Sequence, residues 1–135
     1  MIEGPVSKDD AEFVDTIHTD SFWIGSPYPA GHVSFFPNDA KIQPGCPPLR
    51  FAGYMDFINS KKFFANLILI AFKFLVYFLE DFCSHQHAWR YWSESVKPTR
   101  TQAFPALRCK SYQNFKNNLC NDNPMNFMGY DASPR

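Results

Sequence analysis

The sequence shows no segregation of charge. Its 135 residues include thirteen basic and thirteen acidic side chains, so the formal net charge is zero. A nucleic-acid-binding domain carries a basic stripe or patch, and no nucleic-acid partner is therefore expected. Eleven Pro and six Gly lie among polar loops, and aromatic residues make up 18% of the chain. This composition indicates one small folded domain with a modest core rather than a disordered chain.

The four cysteines also lack the C-x-x-C spacing that is typical of zinc ligands. An even count without that spacing favours two disulfides, with four free thiols as the alternative. Disulfides indicate an oxidising compartment, yet the first five residues have neither the basic region nor the apolar core of a signal peptide. We therefore expect that the chain does not begin where its parent protein begins.

Two short segments near the N-terminus have the composition of strands. Residues 13–19 and 32–36 are rich in β-branched and aromatic side chains, and Pro37 follows the second of them. Between them, residues 20–31 contain two Gly, two Pro and two Ser, which predicts a loop.

One helix is predicted after Cys83. Ser84 is a candidate N-cap, and Ala88, Trp92 and Val96 recur at helical spacing, which predicts that they share the buried face. The sequence Lys97-Pro98 should end this helix. The neighbouring aromatic side chains of Trp89, Tyr91 and Trp92 are expected to pack in the core, and residues 99–135 are expected to be irregular.

Residues 63–79 are almost entirely apolar and are interrupted only by Asn66 and Lys73. Three interpretations stay open for this run: a membrane helix, an interfacial helix and non-native sequence. Its length lies at the lower limit for a membrane span, and Lys73 near its middle opposes insertion by about 2.5–3.5 kcal/mol. The run also lacks the strong polar face of an interfacial helix.

Several motifs resemble, in order and spacing, those of the pancreatic lipase family, which includes lipases, phospholipases A1 and yolk proteins. Residues 10–20 read D-A-E-F-V-D-T-I-H-T-D, residues 31–38 read G-H-V-S-F-F-P-N, and residues 43–46 read Q-P-G-C. Residues 83–85, C-S-H, resemble the segment that carries the family's catalytic histidine. The resemblance also extends to residues 104–106 and to the loop at residues 128–130.

The resemblance implies an α/β fold. Residues 1–135 would form a partial α/β-hydrolase fold, the C-terminal part of a catalytic domain. It further implies ester hydrolysis by a triad whose members follow in the order Ser, acid, His. Only the last member, His85, is matched here, because no G-x-S-x-G motif occurs. The family's triad aspartate and oxyanion-hole segment precede the matched region, so neither Asp15 nor Asp20 takes the aspartate's role.

The resemblance makes His85 the candidate catalytic residue. In an intact enzyme, its imidazole would accept the proton of the serine hydroxyl and then protonate the leaving alcohol. The alternative is a surface histidine that precedes a helix. Cys83, His85 and His87 also form a C-x-H-x-H pattern. We expect no metal there, because no fourth ligand is evident and a disulfide would engage Cys83. His18 and His32, in the strand-like segments, are expected to be structural.

The family's cysteines imply the pairs Cys46–Cys83 and Cys109–Cys120, the first of which brackets the lid of the active site. Residues 47–82 are anomalous for such a lid because they contain the apolar run at 63–79, which would form an aberrant apolar helix in the lid region. One hypothesis is that residues around 47–80 are translated non-coding sequence. Sequencing of transcripts would test it, since a spliced message that retains the stretch would contradict it.

The matched region also departs from the family pattern. Ser34 stands where the family has Asp, and Asp39 and Ala40 replace a Gly-Gly pair. Of the acidic ligands in the family's calcium loop only Asp10 is matched, and Ser7 stands where another is expected. No cofactor is therefore expected, since a calcium ion needs several oxygen ligands.

The resemblance thus implies a secreted parent protein that hydrolyses carboxylic esters of lipids, either triacylglycerol or phospholipid, at an interface. The chain itself is expected to be inactive because it lacks the nucleophile. The first alternative is a non-catalytic, yolk-protein-like member of the same family that binds or stores lipid. The second is a small membrane protein inserted through residues 63–79.

Overall fold

A computed structural model describes residues 5–21, 24–46, 82–99 and 103–134. The predictions for the apolar run at residues 63–79 and for residues 47–81 of the lid segment lie outside these ranges. The described elements are two two-stranded sheets, one long and one short α-helix, and two 3-10 helices at Lys8–Asp10 and Pro37–Ala40.

The first sheet pairs the two segments that were predicted as strands. Strand β1 covers Asp15–Ile17 and strand β2 covers Val33–Phe35, and the two run parallel with Thr16 opposite Ser34. The loop between the parallel strands returns the chain to the same end of the sheet, as parallel pairing requires. The Ser34 hydroxyl lies 2.9 Å from Thr16 Oγ1 and donates to the Ala30 carbonyl, also at 2.9 Å. Phe35 at the end of β2 is buried.

The chain turns sharply after β2, over Pro37–Ala40. Asn38, Asp39 and Ala40 have φ angles of 54°, 63° and 48°, the left-handed region that favours glycine. Two of these residues, Asp39 and Ala40, replace the Gly-Gly pair of the family pattern. The structure thus shows why glycine suits these positions, while the short polar side chains of Asn38 and Asp39 tolerate this conformation better than most.

Residues 82–95 form helix α1. The prediction that Ser84 is the N-cap was wrong, because residues 82 and 83 are already helical. The prediction of the buried face was also wrong: Trp92 and Val96 are exposed, and the face toward the fold carries Ser84, Ala88, Tyr91 and Ser95. These four side chains lie within about 60° of one another at 100° per residue. The helix ends at residue 95, two residues before Lys97-Pro98.

The region after residue 99 is more regular than predicted. Strand β3 at Pro105–Leu107 pairs antiparallel with strand β4 at Met125–Phe127, and helix α2 covers Tyr112–Lys116 between them. A disulfide joins Cys109 and Cys120 across this connection, and Cys120 is buried. Neither strand contains a β-branched residue, so the compositional signal that predicted β1 and β2 is missing there.

No helix within the described part of the chain is long and apolar enough to cross a membrane.

Candidate active site

His85 lies on helix α1, with its side chain exposed to solvent. Two tryptophans share its side of the helix: Trp89 is 59% exposed and Trp92 is 44% exposed. At 100° per residue, both lie within about 40° of the direction of His85. The expectation that these tryptophans pack in the core is therefore wrong, whereas Tyr91, on the opposite face, is half-buried.

The backbone around His85 is held although its side chain is open. Thr19, just after β1, donates its hydroxyl to the His85 carbonyl at 3.3 Å. The backbone N–H of Gln43 donates to Ser84 Oγ, the residue before His85, at 3.1 Å. Thr19, Gln43 and Ser84 are all buried. Hydrogen bonds between buried groups have little competition from water, so they position the His85 backbone firmly against the fold.

The side chain of Gln43 is the most enclosed polar group among the described residues, at 1% exposure. Its Oε1 accepts hydrogen bonds from the Asn38 amide at 2.8 Å and from the Tyr91 hydroxyl at 3.0 Å. The two hydrogens on Nε2 face three carbonyl oxygens, those of Thr19 at 3.1 Å and of Pro37 and Lys41 at 3.0 Å, so one hydrogen is shared between two acceptors. Gln43 thereby links the end of β1, the turn after β2 and helix α1.

Tyr91 completes this connection from the helix side. Burial raises the pKa of its phenol above the ordinary value, so the hydroxyl stays protonated and donates to Gln43 Oε1 at neutral pH. Its ring packs edge-on against Phe104, with centroids 5.4 Å apart. Because the Phe104 carbonyl accepts from the Met128 backbone N–H at 2.9 Å, Tyr91 connects α1 to both the Gln43 site and the β3–β4 unit.

A disulfide between Cys46 and Cys83 adds a covalent connection at the same place. This pair and Cys109–Cys120 are the two pairs that the resemblance implies. Cys46 follows Gln43 by three residues, and Cys83 precedes His85 by two. The segment that contains Gln43 and Cys46 is therefore joined to helix α1 both by the hydrogen bonds of Gln43 and by the disulfide at Cys83, two residues before His85.

His87 lies beside this disulfide. Its Nδ1 is 2.8 Å from the Cys83 carbonyl and 3.5 Å from Cys46 Sγ. A carbonyl oxygen only accepts, so Nδ1 carries the proton and donates. Cys46, Cys83 and His87 offer ligand atoms within 4.8 Å of one another. A metal would need thiolates and a deprotonated nitrogen, whereas both sulfurs share a disulfide and Nδ1 is already a donor. His85 is not in this group.

The C-terminal end of α1 has a separate attachment. Ser95 Oγ donates to the Trp92 carbonyl at 2.7 Å and accepts from the Tyr130 backbone N–H at 3.0 Å. Gly129, with φ of 95°, brings this loop close to the helix: a Cβ there would lie 2.6 Å from Ser95 Cβ. The helix that carries His85 is thus attached to the fold beside the histidine and again at its C-terminal end.

The other two strand-segment histidines make contacts that fit the structural role expected of them. His18 stacks on Phe36 with ring centroids 4.5 Å apart, and its Nδ1 donates to the Ser26 carbonyl at 2.9 Å. His32 Nδ1 accepts from the Val14 backbone N–H at 3.0 Å.

The carboxylates of the first segment do not fit a calcium site. Asp10 caps the 3-10 helix at Lys8–Asp10: its Oδ2 accepts from the Ser7 backbone N–H at 2.7 Å, and Ser7 Oγ accepts from the Asp9 N–H at 3.2 Å. No acidic group of three or more that includes Asp10 converges among the described residues. A hard cation needs several oxygens, and the described carboxylates around Asp10 do not supply them.

Comparison with known proteins identifies the family to which this sequence belongs. The family model described as Lipase matches residues 3–134. The chain belongs to the pancreatic lipase family. The resemblance in the sequence motifs is thereby confirmed. Membership implies an α/β-hydrolase fold, of which the parallel β1–β2 pair and helix α1 form a part.

Individual relatives differ in the activity that their names give. Pancreatic lipase-related protein 2 of Myocastor coypus is 32% identical over 124 residues, which cover 87% of this chain and 23% of that protein. Human phospholipase A1 member A is 45% identical over 53 residues, 39% of this chain and 12% of that protein. Inactive pancreatic lipase-related protein 1 of Canis lupus familiaris is 28% identical over 117 residues, which cover 82% of this chain and 22% of that protein. The chain spans less than a quarter of these relatives' lengths.

Gln43 is the site residue that the sequence analysis did not single out. It appeared there only as the first letter of the Q-P-G-C match, with no role attached. Its partners are distant in sequence, on β1, on the turn after β2 and on α1. A single buried glutamine leaves no periodic pattern, so only the three-dimensional arrangement reveals it.

Proposed function

We propose that the intact lipase of which this segment is a part hydrolyses carboxylic esters of lipids, with His85 as the general base of a serine triad. The observation that carries the proposal is the setting of His85. Its backbone is fixed by the buried residues Thr19 and Ser84, while its imidazole faces outward from the described fold. A general base must be held rigidly and yet reach a nucleophile that lies elsewhere.

The chemistry assigned to His85 has two steps. First, one imidazole nitrogen takes the proton of the serine hydroxyl as the oxygen attacks the ester carbonyl. The same nitrogen then gives that proton to the departing alcohol oxygen, which leaves an acyl-enzyme for hydrolysis. The second ring nitrogen donates to the triad acid, which fixes the tautomer. Neither imidazole nitrogen of His85 needs a partner within residues 5–134 for this role.

The chain alone is expected to be catalytically inactive. It contains no G-x-S-x-G nucleophile motif, and the general base has no function without a hydroxyl to deprotonate. Purified chain should hydrolyse a short-chain p-nitrophenyl ester no faster than buffer. Turnover that disappears in the His85→Ala variant would contradict this expectation.

A fluorophosphonate probe tests the proposal in the intact protein, because such probes react with an activated serine. We expect one labelled serine, found by peptide mapping, and loss of labelling in His85→Ala. Labelling that persists unchanged in His85→Ala would contradict the assignment of the general base.

A non-catalytic role is the second candidate function, and the names of some relatives favour it. Proteins named inactive pancreatic lipase-related protein 1 are among the chain's relatives. A member without activity would keep His85 and its support while another part of the site is altered. An intact protein that takes no fluorophosphonate label but binds lipid vesicles would support this candidate.

The two disulfides support an extracellular location, since such bonds persist in oxidising compartments. The exposed Trp89 and Trp92 beside His85 fit an apolar acyl substrate or further protein of the catalytic domain on that side.

A further inference from the structure

We propose that Gln43 is the positioning residue for His85: it sets the rotation of helix α1 about its axis and thereby the direction of the catalytic imidazole. The inference rests on the proposed function, because it assigns Gln43 a role in that same reaction. Gln43 touches no reacting atom in this role. It acts through the helix.

The geometry of the helix contacts carries the first step. Gln43 binds α1 twice, through its backbone N–H to Ser84 Oγ at 3.1 Å and through Oε1 to the Tyr91 hydroxyl at 3.0 Å. Residues seven apart lie within about 20° of each other around a helix, so both contacts are on one side. Any rotation of α1 about its axis would lengthen both hydrogen bonds together.

Because His85 lies on the same helix, restraining the rotation of α1 also fixes the direction of the His85 side chain. Its side chain projects about 100° around the helix from Ser84, on the exposed side. A side-chain tip about 5–6 Å from the axis moves about 1 Å for each 10° of helix rotation. A misplacement of about 1 Å can lower a catalytic rate about 100-fold. The two Gln43 contacts therefore restrain a motion that would misplace the imidazole.

A second path from Gln43 reaches His85 through the sheet. Gln43 Nε2 donates to the Thr19 carbonyl at 3.1 Å, and the Thr19 hydroxyl donates to the His85 carbonyl at 3.3 Å. Gln43 and Thr19 are 1% and 3% exposed, so the hydrogen bond between them is shielded from water. The same glutamine thus contacts the helix directly and also supports the backbone of His85 through Thr19.

The test replaces Gln43 with methionine, which keeps the length of the side chain and removes its donors and acceptor. In the intact enzyme, we expect Gln43→Met to lower kcat about 100-fold, while KM for a short-chain ester changes less than about two-fold. The matched control is Gln113→Met. Gln113 is exposed on helix α2, where its Nε2 bonds only to nearby Asn117 at 2.9 Å among the hydrogen bonds described. Gln113→Met should leave kcat unchanged.

A double variant separates positioning from general damage. If Gln43 acts through the imidazole, Gln43→Met should have no further effect on the residual rate of His85→Ala, because residues that act as a unit are non-additive. A further 100-fold fall in that background would show that Gln43 supports the fold generally, and would overturn the inference.

A readout without catalysis makes the result independent of the proposed function. In this chain itself, Gln43→Met should speed hydrogen exchange of the peptide over residues 84–91 at least about ten-fold, with Gln113→Met as control. Unchanged exchange would overturn the inference. Should Gln43→Met not fold, Tyr91→Phe removes the hydroxyl that binds Oε1. It should lower kcat about ten-fold, and a kcat within two-fold of the unsubstituted enzyme would contradict the inference.

The outcomes distinguish the two proposals. If His85→Ala lowers turnover but Gln43→Met and Tyr91→Phe do not, the inference fails and the proposed function stands. If His85→Ala leaves turnover intact, the proposed function fails, and Gln43 cannot be its positioning residue.

Discussion

Replacing Gly129 with alanine should destabilise this chain more than the same replacement at Gly45. Both glycines have positive φ, 95° and 85°, so each alanine incurs a backbone strain of about 1–2 kcal/mol. Only at Gly129 does the new Cβ meet a neighbour, at 2.6 Å from Ser95 Cβ, whereas nothing lies within 4 Å of the Cβ at Gly45.

The contact at Ser95 adds a second cost at Gly129. Forcing a methyl group into such a site costs about 1–3 kcal/mol, so the total for Gly129→Ala is about 2–5 kcal/mol. In a chain of this size, 1 kcal/mol lowers Tm by about 3–5 °C. Gly129→Ala should therefore lower Tm by about 6–25 °C, and Gly45→Ala by about 3–10 °C.

Thermal unfolding followed by circular dichroism measures both variants directly. Ser95→Ala in the Gly129→Ala background should recover part of the loss, because it removes the hydroxyl that the new methyl group would meet. Equal Tm values for the two single variants would refute the reasoning. The packing of the 128–130 loop on Ser95 would then not be what attaches the C-terminal end of α1.

Two further predictions concern stability. Replacing both cysteines of the Cys46–Cys83 bond with alanine should lower the free energy of unfolding by about 4 kcal/mol in the chain-entropy treatment. The same change at Cys109–Cys120 should lower it by about 3 kcal/mol. The first loss is larger because that bond joins residues 37 positions apart, whereas the second joins residues 11 apart. Urea unfolding measures both, and a larger loss for the shorter loop would contradict the entropic account. Burial raises the pKa of Asp15 above its ordinary value of 3.8, against a smaller lowering by a backbone hydrogen bond, so its ionisation opposes folding as pH rises through that raised pKa. Asp15→Asn should match the unsubstituted chain below pH 3.8 and exceed its Tm at neutral pH, and a Tm difference that does not grow with pH would contradict the sign.

Strands β1 and β2 were predictable because β-branched and aromatic residues cluster in residues 13–19 and 32–36, the second of which lies between Gly31 and Pro37. Their parallel pairing was not, since nothing in either segment specifies a partner or its direction. Strands β3 and β4 are equally short but contain no β-branched residue, so they were missed. Long-range pairing, here fixed also by the Cys109–Cys120 bond, decides such elements.

Helix α1 shows why the face of a helix can be misjudged. The apolar spacing of Ala88, Trp92 and Val96 predicted the buried face, yet the face that packs carries the hydroxyls of Ser84 and Ser95. That face is polar because it meets the polar groups of Gln43 and the backbone N–H of Tyr130. Apolar periodicity finds a helix, but it cannot find a buried face made by hydrogen bonds.

His85 was identified from its resemblance to a family motif and not from its own pattern. The structure adds that its backbone is anchored and its imidazole is open. The support for that arrangement comes from a glutamine about forty residues earlier in the chain.

The role of His85 is tested most directly by kcat/KM of the intact enzyme for a short-chain p-nitrophenyl ester, with His85→Ala compared to His87→Ala. His87 is the matched control because it lies on the same helix and donates Nδ1–H to the Cys83 carbonyl. His85→Ala should lower kcat/KM by about 10⁴-fold or more, and His87→Ala by less than about ten-fold. Equal losses in the two variants, or a His85→Ala enzyme that keeps a tenth of its activity, would contradict the assignment of His85 as the general base.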